Sequence, residues 1–322
     1  MGKTTVLVTS AGVESAVNII KSLRLQRELD VEILAFDVDR FASGLYLADR
    51  HFVSPPISEM ETYWDFVQGV CRENNVQALY SCFSKEIAFF AERRSALKDL
   101  GVATLLPSHE VIALCDDKYE SIGAVHALGI PVPRIIDDPK EEDLPVFSKL
   151  LQGSSSRGAT LIDSIHILRY LKSSSDRRLY QQYIPGTEYT VDVLCDEDFR
   201  VISCCPRKRI SVKAGQTVKG ITATFETLND YVDRICRAFR FVGVCNIQFI
   251  EHEGKFYFIE INPRYAAGGL MLTVHAGSNL PLLALKLMLG MPLSAAEIEH
   301  RPGVVMTRYW NEIIIDPDLM AS

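Results

Sequence analysis

The chain has 322 residues, of which 48% are hydrophobic and 23% charged, and its formal net charge is −7. A chain of this length exceeds one ordinary hydrophobic core, so two or three domains are expected, and the acidic balance argues against a nucleic-acid partner. No apolar run approaches a membrane span and no secretory signal is recognised. The eight cysteines include no Cys-x-x-Cys pair, so we expect a protein of the reducing cytoplasm.

The first 106 residues alternate between short apolar runs and stretches with helical periodicity. In the first such stretch, Val13, Ala16, Val17, Ile20 and Leu23 fall on one helical face. Predicted strands cover residues 4–9, 31–36, 78–82 and 103–106, and predicted helices cover residues 13–23, 63–71 and 86–97. This β-α-β alternation predicts a doubly wound parallel sheet.

A sheet of this type also raises the possibility of dinucleotide binding. The first strand ends near Gly12, and Asp37 lies where an acid that binds a ribose would be expected. The full Gly-x-Gly-x-x-Gly motif is absent from the sequence. An NAD-dependent enzyme is therefore kept as a minor alternative.

The next segment combines two helices with a strand and a glycine-rich loop. Helices are predicted over 108–115 and 119–128, and 130–133 reads as an extended connector. Residues 145–149 form a predicted strand ending at Lys149, followed by Gln152-Gly-Ser-Ser-Ser-Arg-Gly158. Small residues let backbone N–H groups approach a phosphate closely, with Lys149 as a neighbouring cation. The alternative is a plain hairpin loop beside a solvated lysine.

A second hairpin is predicted over residues 179–194, with Pro185-Gly186 as its turn. The backbone from Gln182 to Ile184 could read an adenine base. The carboxylate of Glu188 could accept hydrogen bonds from two ribose hydroxyls. An ordinary hairpin without a ligand remains the alternative.

A run of cations follows in Cys204-Cys-Pro-Arg-Lys-Arg-Ile210. Arg207 and Arg209 share one face of this predicted strand, where they could hold a substrate carboxylate or a transferred phosphate, unless the face is simply solvated. Gly268 and Gly269 could let backbone amides approach a reacting acyl phosphate. A buried helix is predicted over 281–289.

The run from Cys245 to Arg264 is the most informative part of the chain. Strands are predicted over 245–251 and 255–262, with Gly254 in the turn, so Gln248 comes within one residue of lying opposite Glu260. Glu260 and Asn262 share a face. Together the three side chains offer oxygen donors of the kind that Mg²⁺ prefers, and they leave positions for water and phosphate. Arg264 follows with a guanidinium suited to phosphate oxygens. The alternative is an ordinary amphipathic hairpin.

This hairpin resembles the metal-binding hairpin of the ATP-grasp superfamily, particularly the large-subunit branch of carbamoyl phosphate synthetase. The shared pattern is Asn-x-Gln followed by Glu-x-Asn-Pro-Arg. The stretch Ile-Pro-Gly-Thr-Glu-Tyr, which ends at Tyr189, also matches, as does Gly129-Ile-Pro-Val-Pro133 after a helix that Lys118 opens. The glycine-rich loop after Lys149 resembles the family's flap, a loop that covers the triphosphate. One departure is Leu150, because the family usually has proline directly after the lysine that precedes the flap. The chain is too short for a complete large subunit with two such units.

The resemblance implies a site, with each role assigned by matching position. It implies nucleotide contacts at Lys118, Lys149, Gly153, Ser154, Ser155, Gly158, Gln181, Gln182, Tyr183, Ile184, Glu188, Gln248 and Glu260, metal ligands at Gln248, Glu260 and Asn262, and catalytic cations at Lys149, Arg209 and Arg264. The implied cofactors are ATP and Mg²⁺, with Mn²⁺ as a substitute.

The implied fold is an N-terminal doubly wound parallel-sheet domain on the substrate side, followed by a two-lobed ATP-grasp domain. We expect boundaries at residues 1–106, 107–180, which carries the flap, and 181–322, which carries the metal-binding hairpin. The implied activity is that of a ligase that converts a carboxylate to an acyl phosphate and joins it to an amine or similar nucleophile. The substrates would be small molecules, without nucleic acid or membrane, and a homodimer is possible. A non-catalytic ATP-binding subunit is the main alternative.

Overall fold

The computed structural model describes residues 2–151 and 158–315 and contains three β-sheets. The N-terminal elements are β1 (Thr4–Val8), α1 (Glu14–Leu25), β2 (Val31–Asp37), a 3₁₀ helix (Ser43–Leu47), β3 (Arg50–Val53), α2 (Met60–Glu73), β4 (Ala78–Tyr80), α3 (Ser84–Glu92) and α4 (Arg94–Asp99). The four strands form a parallel sheet in the order β3-β2-β1-β4.

Alternating side chains of β1 bury both faces of this sheet. Val6 and Val8 join a core with Ile19 and Ile20 of α1, whereas Leu7 joins a second core with Tyr63 of α2. Because successive residues of a strand point to opposite faces, an uninterrupted apolar strand requires helices on both sides. The predicted doubly wound parallel sheet is confirmed.

Two predicted elements of this region differ in the structure. The fourth predicted strand is wrong, because only Ala103 makes a parallel bridge, to Ala78. The chain then leaves the sheet, and the carbonyl of Leu105 packs against Gly243, where a Cβ would overlap it. The single helix predicted over residues 86–97 is instead α3 and α4, which are separated at Arg93.

Asp37 has a structural role at the turn between β2 and the 3₁₀ helix. One carboxylate oxygen accepts a hydrogen bond from the backbone N–H of Gly12 at 2.8 Å, and the other accepts from that of Asp39 at 2.8 Å. Both oxygens are thus occupied by local backbone donors. This arrangement accounts for the Gly12–Asp37 pattern without a bound dinucleotide.

The middle of the chain forms a three-stranded antiparallel sheet beside two helices. Its elements are α5 (His109–Asp116), α6 (Lys118–Ala127), a 3₁₀ helix (Glu141–Asp143), β5 (Val146–Leu150), β6 (Thr160–Ile162), α7 (Ile165–Ser173) and β7 (Arg178–Gln182). The strand order is β6-β5-β7. Asp117 caps α6 by accepting hydrogen bonds from two backbone N–H groups, so Lys118 is the first residue of that helix.

The remaining elements build a six-stranded antiparallel sheet. They are β8 (Thr187–Cys195), β9 (Val201–Lys213), β10 (Gln216–Thr222), α8 (Glu226–Phe239), β11 (Gly243–His252), β12 (Lys255–Asn262), α9 (Leu270–Ala276), α10 (Leu280–Met288), α11 (Ala295–Ile298) and β13 (Val305–Thr307). The strand order is β12-β11-β8-β9-β10-β13. One face buries Val191, Val193 and Ile247 against Leu228 and Val232 of α8.

Helices α9 and α10 attach the six-stranded sheet to the N-terminal sheet. The Tyr80 hydroxyl donates to the Pro281 carbonyl at 2.8 Å, and the Asn18 side-chain amide donates to the Ala267 carbonyl at 2.8 Å. The start of α1 is thereby held close to the segment that follows β12.

Within the described ranges, no single helix has the length and apolar character to cross a membrane. Among the described residues, only the pair α9 and α10 together reaches that length and apolar character, and the two helices meet at an 83° bend.

Candidate functional site

A cleft of about 370 Å³ opens between the three-stranded and six-stranded sheets, and we call it the first cavity. It brings together residues predicted from separate parts of the sequence. The predicted site residues that line it are Lys118, Lys149, Gln181, Gln182, Tyr183, Ile184, Glu188, Arg209, Gln248, Glu260, Asn262 and Arg264. Of the remaining predicted residues, Gly158 packs beside Leu150, and Gly153, Ser154 and Ser155 lie outside the described residues.

The oxygen donors predicted to hold a metal lie on adjacent strands. Gln248 of β11 pairs directly with Glu260 of β12, because an irregularity after Gln248 shifts the register by one residue. Asn262 follows on the same face of β12. Its side-chain N–H₂ group donates to Glu260 at 3.1 Å and to Asn246 at 3.3 Å. The Asn262 side-chain oxygen, which has no donor among the described residues, is thus left to bind a cation.

Asn246 is a positioning residue to which the sequence analysis gave no role. It is buried, and its side-chain N–H₂ group donates to the Arg264 carbonyl at 3.0 Å, while its oxygen accepts from Asn262. These two bonds fix the chain on either side of Pro263. The signal was present in the sequence, because Asn246 is the first residue of the Asn-x-Gln pattern.

Arg209 connects a predicted ribose ligand to a predicted metal ligand. Its Nη1 lies 2.9 Å from a Glu188 carboxylate oxygen and donates to the Gln248 side-chain oxygen at 3.3 Å. Its Nη2 donates to the Gly215 carbonyl at 2.7 Å, and its Nε is buried without a partner in the described structure. Burial lowers the pKa of Arg209. Metal binding at Gln248 and ribose binding at Glu188 would both require these bonds to be exchanged.

Lys149 is the most deeply buried cation of the first cavity. Its ammonium group donates to the Ile259 carbonyl at 3.0 Å, and the residue is 6% exposed. Burial lowers the pKa of Lys149 to about 8, and the charge of Lys118 lowers it further, against the opposing influence of Glu260. An anion bound beside Lys149 would stabilise its charged form.

Lys118 and Arg264 flank Asp116 at the end of α5. The Lys118 ammonium donates to the Leu151 carbonyl at 3.3 Å. Burial raises the pKa of Asp116, although Lys118 and Arg264 act in the opposite direction. Burial likewise lowers the pKa of Arg264. No described carboxylate forms an ion pair with Arg264, and its guanidinium makes one hydrogen bond, 3.4 Å long, to the Tyr265 carbonyl.

The far end of the first cavity carries an unsatisfied acceptor. Gln181 is 2% exposed, and its side-chain oxygen has no hydrogen-bond donor in the described structure. A buried acceptor without a donor is costly, so a ligand N–H group would fit there. The neighbouring Gly186 packs against the carbonyl of Glu251, where a Cβ would overlap it, and this contact fixes the turn before Glu188.

A second cavity of about 270 Å³ lies between the six-stranded sheet and the N-terminal sheet. The start of α1, the segment 82–84 and the segment 266–269 form its walls. It meets the first cavity along a shared wall. The residues that line both cavities are Ser84, Arg209, Gly215, Gln248, Glu260, Asn262 and Arg264.

Arg207 and the glycine pair of residues 268 and 269 line the second cavity. The sequence left a ligand role open for each of them, but in the structure they make contacts within the protein. Arg207 is 1% exposed and makes bidentate hydrogen bonds of 2.8 and 2.6 Å to Asp192, so its charge is neutralised within the protein. Gly269 allows close packing of Arg207, because a Cβ there would overlap the guanidinium. Gly268 likewise packs against the backbone nitrogen of Thr217. The glycine pair is thus explained by packing.

The donor set and the charges of the first cavity fit a divalent cation together with a polyanion. Gln248, Glu260 and Asn262 supply one carboxylate and two amide oxygens, which leaves coordination positions open. Lys149 is a buried cation whose charged form needs an anionic neighbour. A nucleotide triphosphate with its metal ion satisfies both requirements, provided that Arg209 releases Gln248.

Two family models match separate parts of the chain. The model described as "PylC-like, N-terminal domain" matches residues 6–105, and the model described as "ATP-grasp in the biosynthetic pathway with Ter operon" matches residues 174–311. The first match covers the parallel sheet and the second covers the six-stranded sheet with its metal-binding hairpin. The resemblance that the sequence motifs indicated is confirmed.

Relatives with similar sequences include a biotin carboxylase and a carbamoyl phosphate synthase large chain. Biotin carboxylase of Allochromatium vinosum is 27% identical over 76% of this chain and 62% of its own length. The arginine-specific large chain of carbamoyl phosphate synthase from Bacillus subtilis is 22% identical over 96% of this chain and 32% of its own length. The chain thus spans less than two thirds of either relative.

Solved structures share the fold across almost the whole chain. The biotin carboxylase domain of Hydrogenobacter thermophilus 2-oxoglutarate carboxylase, solved with MgADP, ADP and bicarbonate, superposes with a TM-score of 0.70 at 19% identity. The match covers 94% of this chain and 73% of that chain. The expected combination of a parallel-sheet domain with an ATP-grasp domain is therefore confirmed.

Proposed function

We propose that this chain, which joins a PylC-like N-terminal domain to an ATP-grasp domain, is an ATP-dependent ligase. It would activate a carboxylate as an acyl phosphate, join it to an amine or a similar nucleophile, and release ADP and phosphate. The relatives that it resembles include a biotin carboxylase and a carbamoyl phosphate synthase chain. Carboxylate activation by ATP is the chemistry that best fits its two adjoining cavities.

The observation that carries this proposal is the wall shared by the two cavities. The first cavity has the buried cations and unsatisfied acceptor that suit a nucleotide, and the second opens beside the N-terminal sheet. The shared wall includes Glu260, Asn262 and Arg264, which line both cavities. The terminal phosphoryl group of a nucleotide in the first cavity would then lie next to an acceptor in the second cavity. Reactions of this type depend on such positioning more than on a covalent nucleophile.

The proposed reaction has two steps. A carboxylate oxygen of the acceptor forms a bond to the terminal phosphorus, while the bond to the bridging oxygen breaks and ADP departs with the electron pair. The amine then attacks the acyl carbon, inorganic phosphate leaves, and the nitrogen releases a proton. Arg264, which lacks an ion-pair partner among the described residues, would orient the carboxylate.

Residues of the metal-binding hairpin would hold Mg²⁺, or Mn²⁺ in its place. Gln248, Glu260 and Asn262 offer the oxygen donors, and Arg209 would leave Gln248 for the phosphate or the acceptor. When bound, the ion supplies positive charge that offsets the charge developing on the phosphate oxygens. Lys149 adds a cation from β5.

The other end of the first cavity would hold the nucleoside. The side-chain oxygen of Gln181 would accept a hydrogen bond from the adenine amino group, because it is buried without a donor among the described residues. The backbone of 182–184 would contribute the remaining contacts to the base. Glu188 is half exposed and would exchange its ion pair with Arg209 for the ribose hydroxyls.

Several broader features of the molecule belong to the same proposal. We keep domain boundaries at 106/107 and 180/181, although β7 (Arg178–Gln182) crosses the second boundary. The partners would be small molecules, a homodimer is a further possibility, and the cytoplasm is the proposed compartment.

The non-catalytic alternative predicts nucleotide binding without turnover. The NAD alternative has no support from Asp37, whose oxygens are both occupied.

A screen for ADP release tests the proposed function. Small carboxylates and amines are supplied in pairs with Mg²⁺ and ATP, and ADP is measured by a coupled assay. The proposal expects release that requires both an acid and an amine and is lost in Glu260→Gln. Binding of nucleotide without release for any acid would favour the non-catalytic alternative.

A further inference from the structure

The second cavity contains three arginines, and two of them are already neutralised. Arg207 is paired with Asp192, and Arg209 with Glu188. Arg264 has no ion-pair partner among the described residues, and the bond from Asn246 to its backbone carbonyl holds it in place. Arg264 is therefore the arginine of this cavity that can bind an anionic ligand group without breaking an ion pair.

The opposite wall supplies one available anion. Glu14 is the first residue of α1 and lines the second cavity at its exposed mouth. It accepts a hydrogen bond of 2.7 Å from the neutral side chain of Gln216 and forms no ion pair with any described residue. Glu260, the other carboxylate of this cavity, belongs to the proposed metal site. Glu14 and Arg264 both line the second cavity, Glu14 from α1 and Arg264 from the segment that follows β12.

We infer that the second cavity binds a small zwitterion, an amino acid, with its carboxylate toward Arg264 and its ammonium group toward Glu14. This inference rests on the proposed function, because the carboxylate near Arg264 is the group that would be phosphorylated. The volume of about 270 Å³ lies just below the range for sites that enclose drug-sized ligands, which suits a molecule of this size. The small residues Ala266 and Ala267 leave room for a side chain.

The ammonium contact would provide specificity. A simple carboxylic acid would reach Arg264 but would leave Glu14 without a cationic partner. Because Glu14 lies at the exposed mouth, an ion pair there corresponds to a preference of about two- to fivefold. An amine without a carboxylate would have no group to accept the phosphoryl.

Hydroxylamine trapping tests this inference without knowledge of the natural amine. Hydroxylamine attacks an acyl phosphate and gives a hydroxamate, which is measured by its iron complex. The full-length chain is supplied with Mg²⁺, ATP and hydroxylamine, together with either the twenty common amino acids or the matching acids without the amino group. We expect at least about twice as much hydroxamate from the amino acids.

Two variants assign the preference to Glu14. Glu14→Gln keeps the shape and removes the charge, so the ion pair is lost and the two mixtures should give about equal yields. Gln216→Ala removes the hydrogen-bond donor and keeps the charge, so the preference should persist. Binding of Mg·ATP, measured by calorimetry, should be unchanged in both variants.

The outcomes separate this inference from the proposed function. Equal yields from the two mixtures, or an unchanged preference in Glu14→Gln, would overturn the amino-acid assignment and leave the ligase intact. Mg·ATP binding with hydroxamate from the simple acids but none from the amino acids would overturn it as well. Absence of Mg·ATP binding, or Mg·ATP binding with no hydroxamate from either mixture, would instead contradict the proposed function.

Discussion

The affinity for ATP should fall as the pH rises through about 8, because Lys149 loses its charge there. Burial lowers the pKa of Lys149 from 10.5 to about 8 in the free protein. Triphosphate bound beside the ammonium group would raise that pKa again, so nucleotide binding and protonation of Lys149 should favour each other. Binding above pH 8 should therefore take up a proton.

The size of the effect follows from the fraction of protein that carries the charge. One pH unit above its pKa, about one tenth of Lys149 remains protonated, so the affinity at pH 9 should be about tenfold weaker than at pH 7.5, or about 1.4 kcal/mol. The lowered pKa means that the unfolded chain binds this proton more tightly than the folded one between pH 8 and 10.5. In that window this group makes folding more favourable as the pH rises, so weaker binding would not come from its effect on stability.

Calorimetry from pH 7.5 to 9.5, in buffers with different ionisation enthalpies, measures both affinity and proton uptake. The terminal phosphate of ATP is already ionised in this range, since the second pKa of a phosphate is near 6. Lys149→Arg is the matched control, because arginine keeps its charge and the affinity should then vary little. An equally steep dependence in Lys149→Arg, or a flat one in the unchanged protein, would refute the reasoning.

Three further predictions concern the nucleotide and metal contacts. Glu260→Gln should lower Mg²⁺-dependent turnover by at least ~10²-fold while the fold is kept, and near-normal kcat in a folded variant would remove Glu260 from the metal site. Glu188→Ala should weaken ATP binding by ~1.5–3 kcal/mol, and calorimetry that gives an unchanged Kd would exclude a ribose contact. Hydrogen exchange over residues 152–158 should slow when a non-hydrolysable ATP analogue and Mg²⁺ are added, whereas equal exchange at saturation would contradict the phosphate-flap assignment.

Local patterns in the sequence predicted much of the fold. The strands at 4–9 and 31–36 were recognisable because both faces are buried, and an unbroken apolar run marks such a strand. Helix α8 was missed although its signal was present, since Leu228, Val232 and Phe239 recur at helical spacing and are buried. The strand predicted over 103–106 is wrong because only Ala103 bridges to the sheet, while Leu105 and Leu106 pack against two separate hydrophobic cores.

The candidate site was predictable to the level of single strands. The alternation of side chains along a strand predicted that Glu260 and Asn262 share one face. The register irregularity after Gln248 then places Gln248 directly opposite Glu260. The contacts of Arg209 with Glu188 and Gln248 depend on how three strands lie side by side, which local spacing does not specify. The second cavity joins α1 to a segment that lies about 250 residues later in the chain, as the bond from Asn18 to Ala267 illustrates.

The fate of oxygen in the carboxylate substrate tests the central claim most directly. An acid that supports ADP release is labelled with ¹⁸O in its carboxylate, and the phosphate released during coupling to the amine is examined by mass spectrometry. Formation of an acyl phosphate transfers one carboxylate oxygen to the phosphate, so each phosphate molecule should carry one ¹⁸O atom. Unlabelled phosphate would mean that water attacks ATP, and it would contradict a ligase that works through an acyl phosphate at the junction of the two cavities.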